Sequence, residues 1–194
     1  MDGSRVSKPS VALQAVTGDP VLTKVIVTDP QRIDRGSRAE ACVRRSASVA
    51  RPAGRIVMRV GVSGESVTLR DTSGLHGCDN SLGPREVDRH WCGSSFGTLY
   101  RGHLRDPRLD LGCSTDDGKP VGFAWVEPDA SAQFVAVEQS GFVEVYEVAG
   151  GLPVRVVTTT NVDIEGSRAS FHVSEHDTQG RLLKRYVVDA VVAG

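Results

Sequence analysis

Apolar and polar residues alternate with a period of two over much of this chain, and glycine, proline or aspartate interrupts the alternation roughly every ten residues. Side chains of a β-strand point alternately to the two faces of a sheet, so the pattern predicts strands with one buried face. The predicted strands share a high content of valine and alanine and cover residues 21–27, 39–49, 55–62, 65–70, 121–126, 132–138, 142–148, 152–159, 168–175 and 182–192. No segment keeps the 3.6-residue period of an amphipathic helix.

Short glycine-containing segments separate several of these strands. Ser63-Gly64, Ala149-Gly150-Gly151 and Thr178-Gln179-Gly180 have the composition of tight hairpin turns, because glycine accepts the positive φ that such turns need. Many short strands joined by tight turns are typical of all-β proteins. The sequence therefore predicts an antiparallel β-sandwich, either immunoglobulin-like or barrel-like.

The strand rhythm resembles that of immunoglobulin-like and fibronectin-like sandwiches, at the level of architecture. Cys113 and Trp125 have roughly the spacing that separates the first cysteine from the core tryptophan in an immunoglobulin domain. However, no cysteine follows Trp125, and no Tyr-x-Cys motif is present. The hallmark disulfide of that family is therefore impossible in this register.

Residues 74–118 interrupt the alternating pattern and are rich in glycine, with Cys78, Cys92 and Cys113 among them. We interpret this segment as a loop-rich insert on a β scaffold. The predicted organisation is a flexible amino terminus, a first β half, the insert and a second β half, at residues 1–10, 11–73, 74–118 and 119–194. These parts form one domain or two packed lobes.

Four cysteines in a loop-rich β chain favour two disulfides and an oxidising compartment, so we expect an extracellular or cell-surface protein. Pairing Cys78 with Cys92 closes a short loop within the insert. Pairing Cys42 with Cys113 then ties the insert to the first β half. The first residues contain no apolar run of signal-peptide length, so the sequence is either a mature form or that of a protein that is not exported.

The charge distribution argues against nucleic acid as a partner, and the length of the apolar stretches argues against membrane insertion. The formal net charge is −1, and acidic and basic residues are interspersed, so no extended field attracts nucleic acid. No stretch approaches the roughly 20 apolar residues that a membrane-spanning helix requires. We therefore expect neither nucleic-acid binding nor membrane insertion of this chain.

One short motif matches the nucleophile elbow of α/β-hydrolases, with Ser95 at the centre of Gly93-Ser94-Ser95-Phe96-Gly97. That chemistry requires a strand-turn-helix that raises the serine above an oxyanion hole in a parallel sheet. The surrounding sequence predicts neither a helix nor a parallel sheet. We interpret the segment as a loop beside Cys92.

A second motif, His172-Val173-Ser174-Glu175-His176, matches the HxxEH pattern of helical zinc sites. The alternation around it predicts a strand, which places His172, Ser174 and His176 on one face and Glu175 on the other. A strand cannot bring both histidines and the glutamate to one metal ion. We therefore expect a solvent-facing strand here.

The pairs His76-Gly77-Cys78 and His90-Trp91-Cys92 could supply zinc ligands together with Cys113. Their spacing differs from the CxxC and HxxxH knuckles of structural zinc sites, and oxidised cysteines cannot act as thiolate ligands. We expect disulfides here, with no bound metal and no cofactor.

The predicted function is recognition or assembly rather than catalysis, with a protein or a cell-surface ligand as the partner. Loops fixed on a rigid sheet commonly carry binding residues, and tryptophan, tyrosine and arginine dominate interface hot spots. Trp91, Tyr100 and Arg101 of the insert are the candidate contacts. One alternative is a secreted hydrolase with a site under the insert that uses Ser95 or the His172/His176 pair. Another is a structural subunit that assembles through β edges.

Overall fold

The computed structural model describes residues 8–29, 32, 55–62, 64–70, 75–81, 108–114, 120–139, 141–158, 163–165 and 168–191. Apart from a 3₁₀ turn at Arg32, every regular element within these ranges is a strand, which confirms the prediction of an all-β chain. The thirteen strands are β1 (Asp19–Leu22), β2 (Lys24–Thr28), β3 (Ile56–Val60), β4 (Gly64–Arg70), β5 (Leu75–Ser81), β6 (Arg108–Ser114), β7 (Pro120–Val126), β8 (Phe134–Glu138), β9 (Phe142–Glu147), β10 (Val154–Thr158), β11 (Asp163–Glu165), β12 (Arg168–His176) and β13 (Leu182–Val191).

The described strands form three sheets. The large sheet has the order β1-β9-β8-β12-β11, and β13 pairs with the opposite side of β12. The three-stranded sheet has the order β10-β7-β6, and the four-stranded sheet has the order β2-β3-β4-β5. All described pairs are antiparallel except β1 with β9, which is parallel. The prediction of a purely antiparallel architecture is therefore wrong at this pair, because sequence periodicity carries no information on strand direction.

The predicted strand at residues 21–27 is two strands that belong to different sheets. Its first part, in β1, pairs with β9 of the large sheet, whereas the second, in β2, pairs with β3. The chain changes sheets at Thr23, whose backbone N–H donates to the Val145 carbonyl at 2.8 Å. Thr23 is buried at this crossing. The amino-terminal part of the chain therefore links the large sheet to the four-stranded sheet.

Two of the three predicted hairpins are present. β3 and β4 pair across the connection that contains residue 63, and β12 and β13 pair across Thr178-Gln179-Gly180, where Gly180 has φ of +77°. The third predicted hairpin is wrong. Gly150 and Gly151 do have positive φ, but they connect β9 of the large sheet to β10 of the three-stranded sheet. A positive φ allows a sharp change of direction without requiring that the flanking strands pair.

The main hydrophobic core lies between the large sheet and the three-stranded sheet. Its buried residues are almost all valine and come from both sheets: Val126, Val154 and Val156 on one side, and Val135, Val137, Tyr146, Val173 and Val188 on the other. β-Branched side chains pack well on a pleated surface, which explains how a chain with few aromatic residues forms this core. These strands are among those that the alternation in the sequence predicted.

The opposite face of the large sheet is covered by the amino-terminal segment, which we define as residues 11–16. Val11, Leu13 and Val16 pack against a second cluster of buried residues, namely Phe134, Ala136, Val143 and Val145. The Gln14 backbone N–H donates to the Gly180 carbonyl at 2.9 Å, which fixes the segment to the β12–β13 turn. The large sheet is therefore buried on both faces where this segment crosses it.

The predicted insert, residues 74–118, begins and ends in regular structure. β5 extends the four-stranded sheet beside β4, and β6 extends the three-stranded sheet beside β7. Neither strand was predicted. Glycine and polar residues interrupt the alternation in β5, whereas β6 does alternate, with Leu109, Leu111 and Cys113 at every second position, so its signal was present in the sequence. The centre of the insert, residues 82–107, lies outside the described residues.

Candidate functional site

The structure describes only some of the predicted site residues. Trp91, Tyr100, Arg101 and Ser95 lie outside the described residues, and so do Cys42 and Cys92. The backbone of Cys78 lies in β5 and that of Cys113 in β6. The proposed disulfides and the proposed contacts of the insert therefore stay predictions. The described candidate that remains is the hairpin of β12 and β13, which carries the HxxEH motif.

The HxxEH motif lies on strand β12, as predicted, with Ser174 and His176 on one face and Glu175 on the other. The prediction that the strand faces solvent is wrong for two of these residues. His176 is completely buried and Ser174 nearly so, whereas His172 is exposed. Ser174 and His176 lie on the face of the large sheet that the amino-terminal segment covers. That cover comes from a distant part of the chain, so local periodicity could not reveal it.

Ser174 and His176 form a hydrogen-bonded pair. The Ser174 Oγ lies 3.0 Å from His176 Nε2, and His176 Nδ1 lies 3.3 Å from the Gly180 carbonyl oxygen. Because a carbonyl oxygen can only accept, Nδ1 carries the proton and Nε2 accepts the hydrogen bond of the serine hydroxyl. Burial lowers the pKa of His176, and the nearby Arg185 charge lowers it further, so the imidazole is neutral near pH 7. The hydroxyl and the ring are thus oriented like a nucleophile and its base.

Glu175 joins two parts of the fold on the other face of β12. Its Oε1 accepts the Tyr186 hydroxyl at 2.9 Å, and its Oε2 accepts the Asp129 backbone N–H at 2.8 Å. Only 1% of Glu175 is exposed. Burial, with the neighbouring Glu175 charge, raises the pKa of Tyr186 far above its usual range, so the phenol stays protonated and donates. These bonds hold β13 and the turn before β8 against β12.

The turn between β12 and β13 is closed by Asp177. Its carboxylate accepts hydrogen bonds from the Gln179 N–H at 2.8 Å, from the Arg181 N–H at 2.9 Å and from Arg181 Nε at 2.6 Å. Burial alone would raise the pKa of Asp177, but these bonds outweigh it and hold the pKa below its usual value. The turn is therefore a fixed connection that sets the position of β13.

β13 forms an edge of the large sheet among the described residues, since β12 is its one strand partner there. Apolar side chains along it are exposed: Val187 to 49%, Leu183 to 40% and Leu182 to 37%. The exposed Arg185 lies between them and donates through Nη2 to Glu138 Oε1 at 2.7 Å and to the Ala15 carbonyl at 3.1 Å. We call this strand the β13 edge.

Sequence reasoning missed a set of buried charged residues, which includes Arg59 and Arg155. Arg59 Nη2 donates to the Glu147 carbonyl at 3.3 Å, and burial lowers the pKa of its guanidinium to about 10, so it remains charged. Arg155 lies over the Trp125 ring, 4.9 Å from the ring centre. A signal for Arg59 was present, because it shares a strand face with the buried Val57. Arg59 thus links the four-stranded sheet to the large sheet, whereas Arg155 and Trp125 lie opposite each other within the three-stranded sheet.

The chain matches no protein family, no curated protein sequence and no solved structure. Function must therefore be argued from the geometry of the described residues. In those residues no three histidine, cysteine, aspartate or glutamate side chains group together as a metal site. Nor do they include a helix with the length and apolar character needed to cross a membrane.

Proposed function

We propose that the protein is a non-catalytic recognition or assembly module that acts outside the cytoplasm or at a cell surface and binds a protein or a surface ligand. The observation that supports this function is the β13 edge. A strand at the end of a sheet presents unpaired backbone N–H and C=O groups, to which another strand can add. β13 spans Leu182–Val191, which is longer than the five or six residues of a typical strand.

The side chains of the β13 edge support this proposal. Natural proteins commonly protect edge strands with proline, bulges or charges. On β13 the charged Lys184 and Arg185 are flanked by the exposed Leu183 and Val187, so the edge offers apolar contact area as well as hydrogen bonds. The bonds of Glu175 and Asp177 fix the hairpin, which lowers the ordering entropy that binding must overcome.

The proposal extends to the architecture that carries these surfaces. The valine core between the large sheet and the three-stranded sheet supports a β-sandwich, and the two ends of the insert enter that scaffold as β5 and β6. A disulfide-bearing insert on such a scaffold would provide a second binding surface, for which Trp91, Tyr100 and Arg101 are the candidate contacts. Disulfides would keep that loop ordered before binding.

Partner capture from the source organism tests this function with four forms of the protein. They are the wild type, Val187→Lys at the β13 edge, the double variant Trp91→Ala/Arg101→Ala in the insert, and Lys24→Asp as an exposed control on β2. Val187 is half exposed, so its replacement leaves the core intact. We expect a stoichiometric partner that Lys24→Asp retains and that one of the two surface variants loses. Identical partners for all four forms, or no partner, would contradict the proposal.

The hydrogen-bonded Ser174 and His176 favour a second candidate function, a hydrolase in which Ser174 is the nucleophile and His176 its base. An accessible nucleophilic serine reacts with a fluorophosphonate probe. Labelling of the wild type and its loss in Ser174→Ala would support the hydrolase. The burial of Ser174 leads us to expect no labelling, which would remove this candidate.

A further inference from the structure

We propose that residues 8–22, which we call the arm, exchange between two copies of this chain, so that the arm of each copy packs on the large sheet of the other. The partner is therefore a second copy, and the surface is the one that the arm covers within a single chain. The exchange adds no strand to the β13 edge and does not involve the insert, so it goes beyond the proposed function. Exchange of an identical element is a low-cost route to a closed dimer.

The arm packs against one surface, which the large sheet and the β12–β13 turn form together. Three of its apolar side chains cover the second buried cluster: Val11, Leu13 and Val16. Its backbone is bonded to that surface, since the Gln14 N–H donates to the Gly180 carbonyl at 2.9 Å and Arg185 donates to the Ala15 carbonyl at 3.1 Å. β1 then pairs with β9. A second copy offers the identical surface, so all of these contacts can be remade between copies.

A single residue, Thr23, joins the arm to the rest of the chain. β1 ends at Leu22 and β2 begins at Lys24, and these two strands belong to different sheets. When the arm packs on its own chain, the backbone must therefore cross between sheets within one residue. Short connections under strain favour exchange, because the element can reach the same surface of another copy without making that crossing.

The crossing is unfavourable for Thr23 itself. Only 2% of this residue is exposed, and its Oγ1 has no hydrogen-bond partner among the residues that the structure describes. A buried hydroxyl without a partner keeps the cost of its desolvation. The surroundings are also tightly packed, since a Cβ added to Gly61 would lie 2.9 Å from the Thr23 methyl group and closer still to Glu144. Opening of this hinge would return the hydroxyl to water in both copies of a dimer.

The local sequence favours the open form of the hinge. Residues 21–27 have the pattern of one continuous strand, and their pairing with β9 and β3 divides them into two. In the exchanged dimer the chain can run through Thr23 as one strand, so the local preference and the structure agree there. The contacts of the arm are the same in both forms, and the hinge therefore decides the balance between them.

The tether of the arm sets the concentration range of the dimer. A short tether holds the arm near its own surface at an effective concentration in the mM range, and the arm of a second copy has to compete with it. Relief at two hinges favours the exchanged form. We therefore expect a dissociation constant between about 10 μM and 1 mM.

A crosslink between the arm and the sheet distinguishes exchange from association side by side. Asp19 of β1 lies opposite Phe142 of β9, so the variant Asp19→Cys/Phe142→Cys places two thiols within reach of a disulfide. In the closed chain this disulfide lies within one chain, and in the exchanged dimer it joins two chains. Unlabelled and heavy-nitrogen-labelled forms of the variant are mixed in equal amounts at about 1 mM, equilibrated and oxidised. The monomer and the dimer are then separated by size, and their linked peptides are weighed by mass spectrometry.

We expect linked peptides that combine a light and a heavy member in the dimer fraction. The monomer fraction should contain only linked peptides of uniform label. The single variants Asp19→Cys and Phe142→Cys control for exchange with the native cysteines, because neither of them can form the link between positions 19 and 142.

Thr23→Val tests the hinge in chains without the added cysteines. Valine has the shape of threonine and lacks the hydroxyl, so it fills the crossing without an unpartnered polar group. We expect it to raise the dissociation constant of the dimer about tenfold or more in sedimentation equilibrium. Thr28→Val makes the same change at the other end of β2, where the exposed hydroxyl donates to the Asp29 carbonyl, and it should stay within about threefold of the wild type. Thermal unfolding verifies that both variants fold.

Three results would overturn the exchange. They are a wild type that stays monomeric up to about 1 mM, a dimer whose linked peptides all carry a uniform label, and a Thr23→Val variant that dimerises as well as the wild type. The second result would mean that two closed chains associate side by side, and it would leave the proposed function intact. Unchanged partners in the Val187→Lys and insert variants would contradict the proposed function and leave the exchange intact, because the exchange is measured without a foreign partner.

Discussion

Replacing Tyr186 by phenylalanine tests whether the Glu175 bonds hold the β12–β13 hairpin. The change removes one oxygen and leaves the ring, so packing around the side chain is preserved. The lost contact is the 2.9 Å hydrogen bond from the phenol to Glu175 Oε1. Glu175 keeps its bond to the Asp129 N–H, but its buried carboxylate then lacks one of two donors.

The expected loss of stability follows from the charge and burial of that acceptor. A hydrogen bond to a charged group contributes about 1.5–3 kcal/mol, and a buried group left without its partner keeps the full cost of desolvation. Because Tyr186 is only partly buried, water can replace some of the lost bond, and we expect a loss of about 1.5–2 kcal/mol. For a chain of this length, that loss lowers the melting temperature by about 3–8 °C.

A double-mutant cycle with Glu175→Gln provides the assay. Urea unfolding of the wild type, both single variants and the double variant gives four free energies of unfolding, from which the coupling between the two side chains is obtained. We expect a coupling of about 1–2 kcal/mol. A loss below about 0.5 kcal/mol for Tyr186→Phe, or a coupling near zero, would refute our view that this bond braces the hairpin.

Three further predictions concern acid stability, the β12–β13 turn and the cysteines. Because the pKa of His176 is lowered in the folded protein, the unfolded chain binds that proton more readily, and the free energy of unfolding should fall as the pH drops below about 6.5. Chemical denaturation from about pH 7.5 to about pH 5 measures this fall. It should be smaller in His176→Gln than in His172→Gln, which changes an exposed histidine and serves as the control. Gly180 has a positive φ, and a Cβ there would overlap the Ala12 carbonyl oxygen, so Gly180→Ala should lower the free energy of unfolding by about 2 kcal/mol or more. Gly141 has a similar φ but open space around it, so Gly141→Ala should lower the free energy of unfolding by only about 1 kcal/mol. Peptide mapping of the unreduced protein should show two disulfides, one between Cys78 and Cys92 and one between Cys42 and Cys113. Four free thiols would contradict both this pairing and the expectation of export.

The alternation predicted the strands of the main core, but not which of their residues are buried. In β8, Val135 and Val137 face the main core, while Phe134 and Ala136 on the opposite face are buried as well, under the amino-terminal segment. Local alternation could not distinguish one strand from two at Thr23, because every residue from 21 to 27 fits an extended chain. The break there depends on the pairing of β1 with β9, which is a contact between distant segments.

The candidate site was less accessible to sequence reasoning than the fold. The strand geometry of His172, Ser174 and His176 followed from periodicity. The burial of Ser174 and His176 did not, because the amino-terminal segment that packs over the same sheet face lies far away in sequence. The exposure of Val187 could not be predicted either. Whether a residue on the outer face of a sheet is buried depends on whether a distant segment packs over it, and local periodicity does not contain that information.

The parallel pairing of β1 with β9 has a consequence for biosynthesis. Asp19 and Leu22 leave the ribosome long before their partners Phe142 and Val145 have been translated. At typical rates of synthesis this interval is on the order of 10 s. During it the apolar Leu22 lacks the strand that later buries it, and the amino-terminal segment lacks the sheet on which it packs. The large sheet therefore cannot form around β1 on the nascent chain until β9 has emerged, and chaperone occupancy of residues 8–28 should end only after that point.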